Sequence, residues 1–547
     1  MSTAEQGLED RAAGRLARLW LAGAAAALVL YVLTLAPDLV WQDAGDYQWQ
    51  AAQFNLVRPG DAVRVHPWFL VVAHALGRVP LWNYAYAANL ASAIGTALAV
   101  ANVLLLVRLV TGRTWPAVLA ATTFAVGHAV WSYATVAQTY GWMAAFLTAM
   151  CLAAYGYLAA RKARWLLAMF LAGGLGLSDH MMIGIALVVL AGWMVWEVLR
   201  RRTPWWVLPA AVGCSLAGAS LYGAVLALEY MQTGSLAETL RSALVGRWAA
   251  GVFNLADLPV LLGKSVLYIG LAYPTPLALA GLTGAVSLVR RRDAFSRLLL
   301  VLAVVYLLWA VRYKVSDPEA FFIPFYVFAS VMIGVGAARF LEGRGRWALV
   351  ALAVAAILPV AVYAVLPRAV EGMFAAYPQV RQRLGLATFE RPLPYRDTYA
   401  YLFQPWKCGN WSARRFAEEA LRSLPPHAVL LPDSTASPPL VCLQRLEGVR
   451  RGVLVAGAEI SMTSEIGWHF WMSDRDLATE AADPNLRIFV VSNHPRYVPR
   501  WVTKYARLEP FGILWEVRPG RTEEGDSPLE RKGDSPLAVS PAEGAAP

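Results

Sequence analysis

Residues 15–47 read RLARLWLAGAAAALVLYVLTLAPDLVWQDAGDY. Arg11, Arg15 and Arg18 stand at the start of an apolar run over 17–36, and Asp38, Asp43 and Asp46 follow its end. A run of about 20 apolar residues matches the hydrocarbon thickness of a bilayer. Basic residues at one end and a polar, aromatic loop at the other give such a run a direction. The pattern repeats at 83–107, 116–133, 142–160, 165–178, 181–199, 205–228, 270–289, 298–312, 320–338 and 347–366, which makes about eleven spans. The reading is a mainly α, polytopic membrane helical bundle.

Composition agrees with this reading. The chain has 547 residues, of which 58% are hydrophobic and 16% charged, and its mean hydropathy is +0.46. Soluble globular chains carry about a quarter charged residues, so a soluble enzyme and a disordered chain are both excluded. The net charge of +11 raises the question of nucleic acid. The basic residues answer it, because they lie in short runs between apolar segments, as in membrane loops, and not in one basic groove.

Lys and Arg collect in alternate connections: Arg108/Arg113, Arg161/Lys162/Arg164, Arg200–Arg202, Arg290–Arg292 with Arg297, and Arg339/Arg344/Arg346. These connections are expected on the cytoplasmic side, with the N-terminus inside and the C-terminus outside. Met1–Asp10 lack the basic start of a signal peptide, so the first span reads as a membrane anchor. The segment 165–178 is short and loosened by Gly173, Gly174 and Gly176. The stretch 257–289 is too long for one helix, so 257–269 is expected to be an interfacial helix leading into the span.

The lipid-facing pattern stops near Pro367. The stretch SARRFAEEALRSL (412–424) has helical spacing, and Ala428–Leu431, Val453–Val455, Arg487–Ser492 and Ile513–Val517 look like strands. The expected organisation is a membrane domain over 1–366, a small extracytoplasmic α/β domain over 367–520, and a disordered Pro/Ser/Gly tail over 521–547. Cys151 and Cys214 fall in spans as small packing residues. Cys408 and Cys442 fall in the outer domain, where a disulfide between them is open. No spacing suggests a zinc site.

In so apolar a chain the polar residues carry the information. Asp43 and Asp46 are three residues apart and share a face of any helix they occupy. If the loop folds back on the membrane, partial desolvation makes either a candidate base. The alternative is that Asp43 caps a helix, with Gly45 as a turn residue. Arg58, Arg64 and His66 follow in the same loop. Gln138 and Tyr140 stand together at the edge of a span. Asp179-His180 interrupts an apolar hairpin, either lining a cavity or forming a solvated tip. Arg312, Lys314, Asp317 and Glu319 form a solvated loop or, through their cations, a phosphate site. His74 and His128 read as packing residues, and His427, His469 and His494 have no ligand spacing.

The stretches VWQDAGDYQWQAA (40–52), VHPWFLVVAHALGRV (65–79), VWSYATVAQTYGWMAAFLTAM (130–150) and GLSDHMM (176–182) resemble the protein O-mannosyltransferase-like family of multispan membrane proteins. So do VSDPEAFFIPFYVFAS (315–330) and YRDTYAYLFQPWKCGNWSARRFAEEALRSLPPHAVLLPDS (395–434). The resemblance runs in order along most of the chain. It implies a polytopic bundle of the glycosyltransferase C type. It also implies a polyprenyl-phosphate-linked sugar donor, a mannose-like hexose first among them, and a catalytic carboxylate in the first outer loop at the position of Asp43. The chain departs from the family in having Asp46 where Glu is common, Gln138 where Glu is common, and an altered stretch around Arg58-Pro59-Gly60 and His66-Pro67.

The implied reaction is sugar transfer to an acceptor hydroxyl on a protein, glycan or lipid, outside the cytoplasm and with inversion. Asp43 is the base and Asp46 orients it or the acceptor. Arg58, Arg64, His66, His180, Arg312 and Lys314 are candidates to hold the lipid phosphate, with Gln138 and Tyr140 lining the substrate site. Phosphate is a good leaving group, so no cofactor is required; a divalent metal stays open. The competing readings are a lipid or sugar transporter, which should show paired half-repeats, and a non-catalytic scaffold, which leaves the loop carboxylates unexplained.

Overall fold

The computed structural model describes residues 3–58, 60–244, 246, 251, 257–314, 318–384, 389, 391–456 and 487–519. Asp317, His469 and the tail over 521–547 lie outside the described residues. Among the described residues, six helices are long and apolar enough to cross a membrane, or up to nine if each bent pair is one span. The remaining two expected spans are the shorter apolar helices Ala163–Leu177 and Ile183–Leu199. This is a multi-pass membrane protein.

The first nine helices are α1 (Thr3–Thr34), α2 (Gln42–Gln53), α3 (Pro67–Gly77), α4 (Tyr84–Thr111), α5 (Thr114–Ala125), α6 (His128–Ala134), α7 (Tyr140–Ala160), α8 (Ala163–Leu177) and α9 (Ile183–Leu199). Helix α4 is packed against α1, α3, α5 and α7. Lipid supplies no hydrophobic drive between helices, so small residues and polar bridges hold them together. Asn102 of α4 is one bridge: it accepts from Trp20 Nε1 at 2.8 Å and donates to Thr148 Oγ1 at 3.0 Å. Helices Leu277–Arg291 and Ile323–Phe340 cross at Gly284 and Gly336. A Cβ on Gly284 would lie 1.8 Å from the Met332 carbonyl oxygen, and one on Gly336 1.9 Å from that of Ala280.

Among the described residues, three pairs of apolar helices are sharply bent at a short break, each a broken span or a re-entrant loop. Helices α5 and α6 meet at 66°, as do Val207–Gly218 and Ser220–Thr233, and Leu258–Ala272 meets Leu277–Arg291 at 108°. The last break lies at Tyr273–Pro276, so a separate helix does precede the span, ending at Ala272 and not at the expected 269. The buried Glu197 of α9 is paired with Arg161 at 2.7 Å and Arg202 at 3.4 Å. A carboxylate is therefore tolerated at the end of an apolar helix because two basic connections neutralise it.

Contacts divide the chain into one unit of 1–418 with 438–448 and a second of 419–437 with 449–547. The change in composition near 367 does not coincide with this division, because the apolar helix Arg346–Ala376 runs through it and 367–418 pack within the first unit. The second unit is built on a five-stranded sheet of order β2-β1-β3-β5-β4. Its strands are β1 (Val429–Leu431), β2 (Leu454–Val455), β3 (Ile488–Val490), β4 (Ala506–Phe511) and β5 (Leu514–Pro519). The strands β1, β2 and β3 are parallel, and β3, β5 and β4 are joined antiparallel. Val429, Leu431, Ile488, Val490 and Val517 form its apolar core.

Cys408 is exposed, Cys442 is buried, and no disulfide joins them. The Cys442 thiol instead points at the Gly45 carbonyl oxygen, 3.8 Å away, and burial pushes it well above the usual thiol range.

Candidate active site

Helix α2 follows the first span after a short connection that is fixed from both sides. Gln48 donates to the Asp38 carbonyl and to Asn89, and accepts from the Val40 amide. Asn89 donates in turn to the carbonyls of Ala36 and Asp38. Trp41 donates to Ser412 Oγ at 2.8 Å and packs on Phe416. Asp38 is buried, which raises its carboxyl, and Arg414 lies 3.2 Å from it. Gly45 is required by close approach, since a Cβ there would sit 2.4 Å from the Val40 carbonyl oxygen and 2.8 Å from Pro438 Cβ.

Asp43 lies in the first turn of α2 and Asp46 one turn on. The capping alternative is not realised: Trp41 occupies the cap position and makes no side-chain bond to the helix amides, and Asp43 instead faces Arg64 Nη2 at 3.1 Å. The two carboxylates have different surroundings. Asp46 is buried against Arg58, with Arg64 3.9 Å away. The Asp43 side chain keeps 43% of its surface exposed. Arg64 also lies 3.8 Å from Asp61, a third carboxylate that sequence reasoning did not single out. The segment carrying Arg58 and Arg64 is tethered where the Gly60 amide donates to Glu229 and the Ala62 amide to Ser242, each at 2.8 Å.

Beside this cluster, the His66 and His180 rings stack with centroids 5.1 Å apart. Tyr47 flanks His66 and Tyr140 flanks His180. His66 Nδ1–H donates to the Asp179 carbonyl at 2.5 Å, so Nε2 is the acceptor nitrogen of the neutral ring. Asp179 is buried at 1% exposure, which rules out the solvated tip and raises its carboxyl well above the carboxylate range. Burial and the neighbouring imidazole hold His66 well below its usual value, and burial lowers His180 to about 4. Both rings are neutral at pH 7.

Asp43 opens onto a cavity of about 90 Å³ whose wall also holds Tyr133, Gln138, Glu319, Tyr401 and Lys407. Tyr133 donates its hydroxyl to Glu319 at 3.1 Å and packs on Tyr140. The Gln138 backbone is clamped to Ser92 Oγ by bonds of 2.7 and 2.8 Å. Lys407 is buried, donates to the carbonyls of Tyr401 and Gln404, and lies 5.0 Å from the Tyr401 ring centroid. Burial, helped by Arg396, lowers its ammonium to about 7.

The structure thus gathers Asp43, Asp46, Arg58, Arg64, His66, Gln138, Tyr140 and His180 into adjoining groups. Arg312 and Lys314 do not line this cavity. Arg312 stacks over Trp309 at 4.5 Å and Lys314 pairs with Asp257 at 2.7 Å. Sequence reasoning passed over Lys407 and Tyr133. The only local signal for Lys407 was a single cation inside an aromatic stretch, 401–411.

No protein-family model and no curated protein sequence matches the chain. Two solved structures of ArnT from Cupriavidus metallidurans do match it by fold. One, bound to undecaprenyl phosphate, has a TM-score of 0.53 at 15% identity over 92% of this chain and 97% of that one. The apo form gives 0.52 at 16% identity, over 92% and 98%. With these neighbours, the helices packed around α4 and the small α/β unit, the chain shares the polytopic membrane fold of the two ArnT structures.

Proposed function

We propose that this protein is a membrane glycosyltransferase that moves a sugar from a polyprenyl-phosphate donor to an acceptor hydroxyl. The observation that carries the reading is the half-exposed Asp43 on a cavity wall, held by Arg64, beside an Asp46 already neutralised by Arg58. The ArnT structure bound to undecaprenyl phosphate, which shares the fold, supports the choice of donor.

Asp43 accepts the proton of the acceptor hydroxyl. The oxygen then bonds to the anomeric carbon from the side opposite the phosphate, the carbon–oxygen bond to phosphate breaks, and its electron pair leaves with the phosphate. One displacement inverts the anomeric centre. Arg64 keeps the carboxylate aimed. No protonating acid is needed for a phosphate leaving group, unlike the paired carboxyls of glycoside hydrolysis. His66 and His180, being neutral, serve as hydrogen-bonding walls and not as phosphate-binding cations. A mannose-like hexose is the favoured sugar. Incubation of the purified protein with polyprenyl-phosphate mannose, glucose and arabinose, with release of polyprenyl phosphate as readout, tests the reading. No release from any donor, with a range of hydroxyl acceptors, overturns it.

Lys407 takes the leaving phosphate in this scheme. The sign of its pH dependence follows from burial: the ammonium is charged below about 7 and neutral above. Affinity for undecaprenyl phosphate is expected to fall as pH rises through 7. Lys407→Met should weaken it about 10–100-fold at pH 6, the worth of one charge-assisted contact. Lys407→Arg stays charged and should flatten the profile, which controls for titration of the phosphate itself. A Met variant with the affinity of the wild type removes Lys407 from the site.

The basic connections support a site outside the cytoplasm. A cysteine label near Arg201 is expected to react only from the cytoplasm, and one near Arg415 only from the opposite side. Labelling of both from one side overturns this orientation.

A further inference from the structure

The face opposite the active-site loop carries a second cavity, of about 440 Å³, where the connection 112–116 meets the connection 341–349. The geometry points to a binding site for the phosphate of an anionic membrane phospholipid. Three arginines line it, Arg113, Arg344 and Arg346, with Trp115, Leu341 and Leu349, and no Asp or Glu is among its lining residues. The neighbouring Glu342 is drawn to Arg339 at 3.7 Å.

The guanidinium groups are anchored without being used up. Arg113 Nη1 donates to the Ala338 carbonyl at 2.7 Å and Arg344 Nη1 to that of Phe340. Arg344 lies over the Phe340 ring at 4.3 Å and Arg346 over Trp347 at 5.3 Å. A guanidinium has five N–H donors, so each keeps donors for phosphate oxygens in the fork geometry that suits them. The helices Thr114–Ala125 and Arg346–Ala376 both begin here with no side-chain cap, which adds to the positive field.

The surroundings distinguish a lipid from free phosphate. Trp115 and Trp347 are 60% and 72% exposed, the placement of aromatic side chains at headgroup level. From Arg346 the exposed residues Val350, Val354 and Ile357 follow at intervals of four, four and three along one helix face. That stripe offers an acyl chain a track leading away from the basic cavity. A basic pocket between helix ends with an apolar track below it recognises a phospholipid headgroup. This site is independent of the reading of the active site.

The test uses the full chain purified in detergent, with retention of dioleoylphosphatidylglycerol measured by native mass spectrometry against dioleoylphosphatidylcholine. Retention of the anionic lipid is expected to exceed that of the zwitterionic one about tenfold. Arg344→Gln with Arg346→Gln should remove most of that preference. The matched control is Arg164→Gln with Arg200→Gln, which alters two other arginines that stack on tryptophans and should leave it intact. Thermal unfolding without lipid checks that both double variants fold. Equal loss in both variants means a diffuse basic face and overturns the site. So does inorganic phosphate that competes as well as the lipid, which would leave the acyl track without a role.

Discussion

Asp43→Asn is expected to fold, to bind undecaprenyl phosphate as the wild type does, and to lose about 10²–10⁴-fold in turnover, the usual worth of a positioned base. The reason is local. Asn keeps the shape and can still accept from Arg64 Nη2, which lies 3.1 Å from Asp43 Oδ1, but it cannot take the acceptor's proton. Because the Asp43 side chain is 43% exposed, the change should move the unfolding temperature little. Turnover with the favoured donor, measured beside donor binding and thermal unfolding, separates loss of chemistry from loss of fold. Near-normal turnover in this variant, with turnover abolished in a folded Asp46→Asn, would mean that the two carboxylates have exchanged roles.

Asp46→Asn should act on stability instead. Asp46 and Arg58 have side chains only 7% and 8% exposed and contact each other directly. Removing one partner of a buried ion pair leaves the other charge uncompensated and costs about 3–5 kcal/mol. Replacing both with apolar residues removes the orphaned charge, so Asp46→Leu with Arg58→Leu should unfold at a higher temperature than Asp46→Asn alone. Arg64, 3.9 Å from Asp46, is a second cation and cannot compensate Arg58; it keeps Asp43 and Asp61 as partners. Unfolding of Asp46→Asn at the wild-type temperature contradicts this account.

The difference between these two aspartates was not legible in the sequence. Their spacing placed them on one face of a helix, and α2 bears that out. Spacing is blind to which of the two turns toward a buried arginine, and that difference separates a chemical role from a structural one. The Asp179-His180 pair shows the same limit: a polar interruption in an apolar hairpin reads equally as a solvated tip or a buried wall. The stack of His66 on His180, 114 positions apart in the chain, decides between them. Strand β4 was missed because Glu509 and Pro510 break the apolar alternation that marks a strand; pairing with β5 holds it in place.

Hydropathy and charge alone determined that the chain is a bundle of many apolar helices, where the basic connections lie, and the mixed helix-and-strand character of the C-terminal region. These properties depend on residues close in sequence, because each helix satisfies its own backbone and meets lipid by itself. Only the tertiary structure decided where the spans bend, that Cys442 lies against Gly45 and is not bridged to Cys408, that contacts within the first unit continue to 418, and that Lys407 shares a cavity with Asp43. Those outcomes are set by packing between segments hundreds of residues apart, where the interaction is non-local and leaves no periodic trace in either segment.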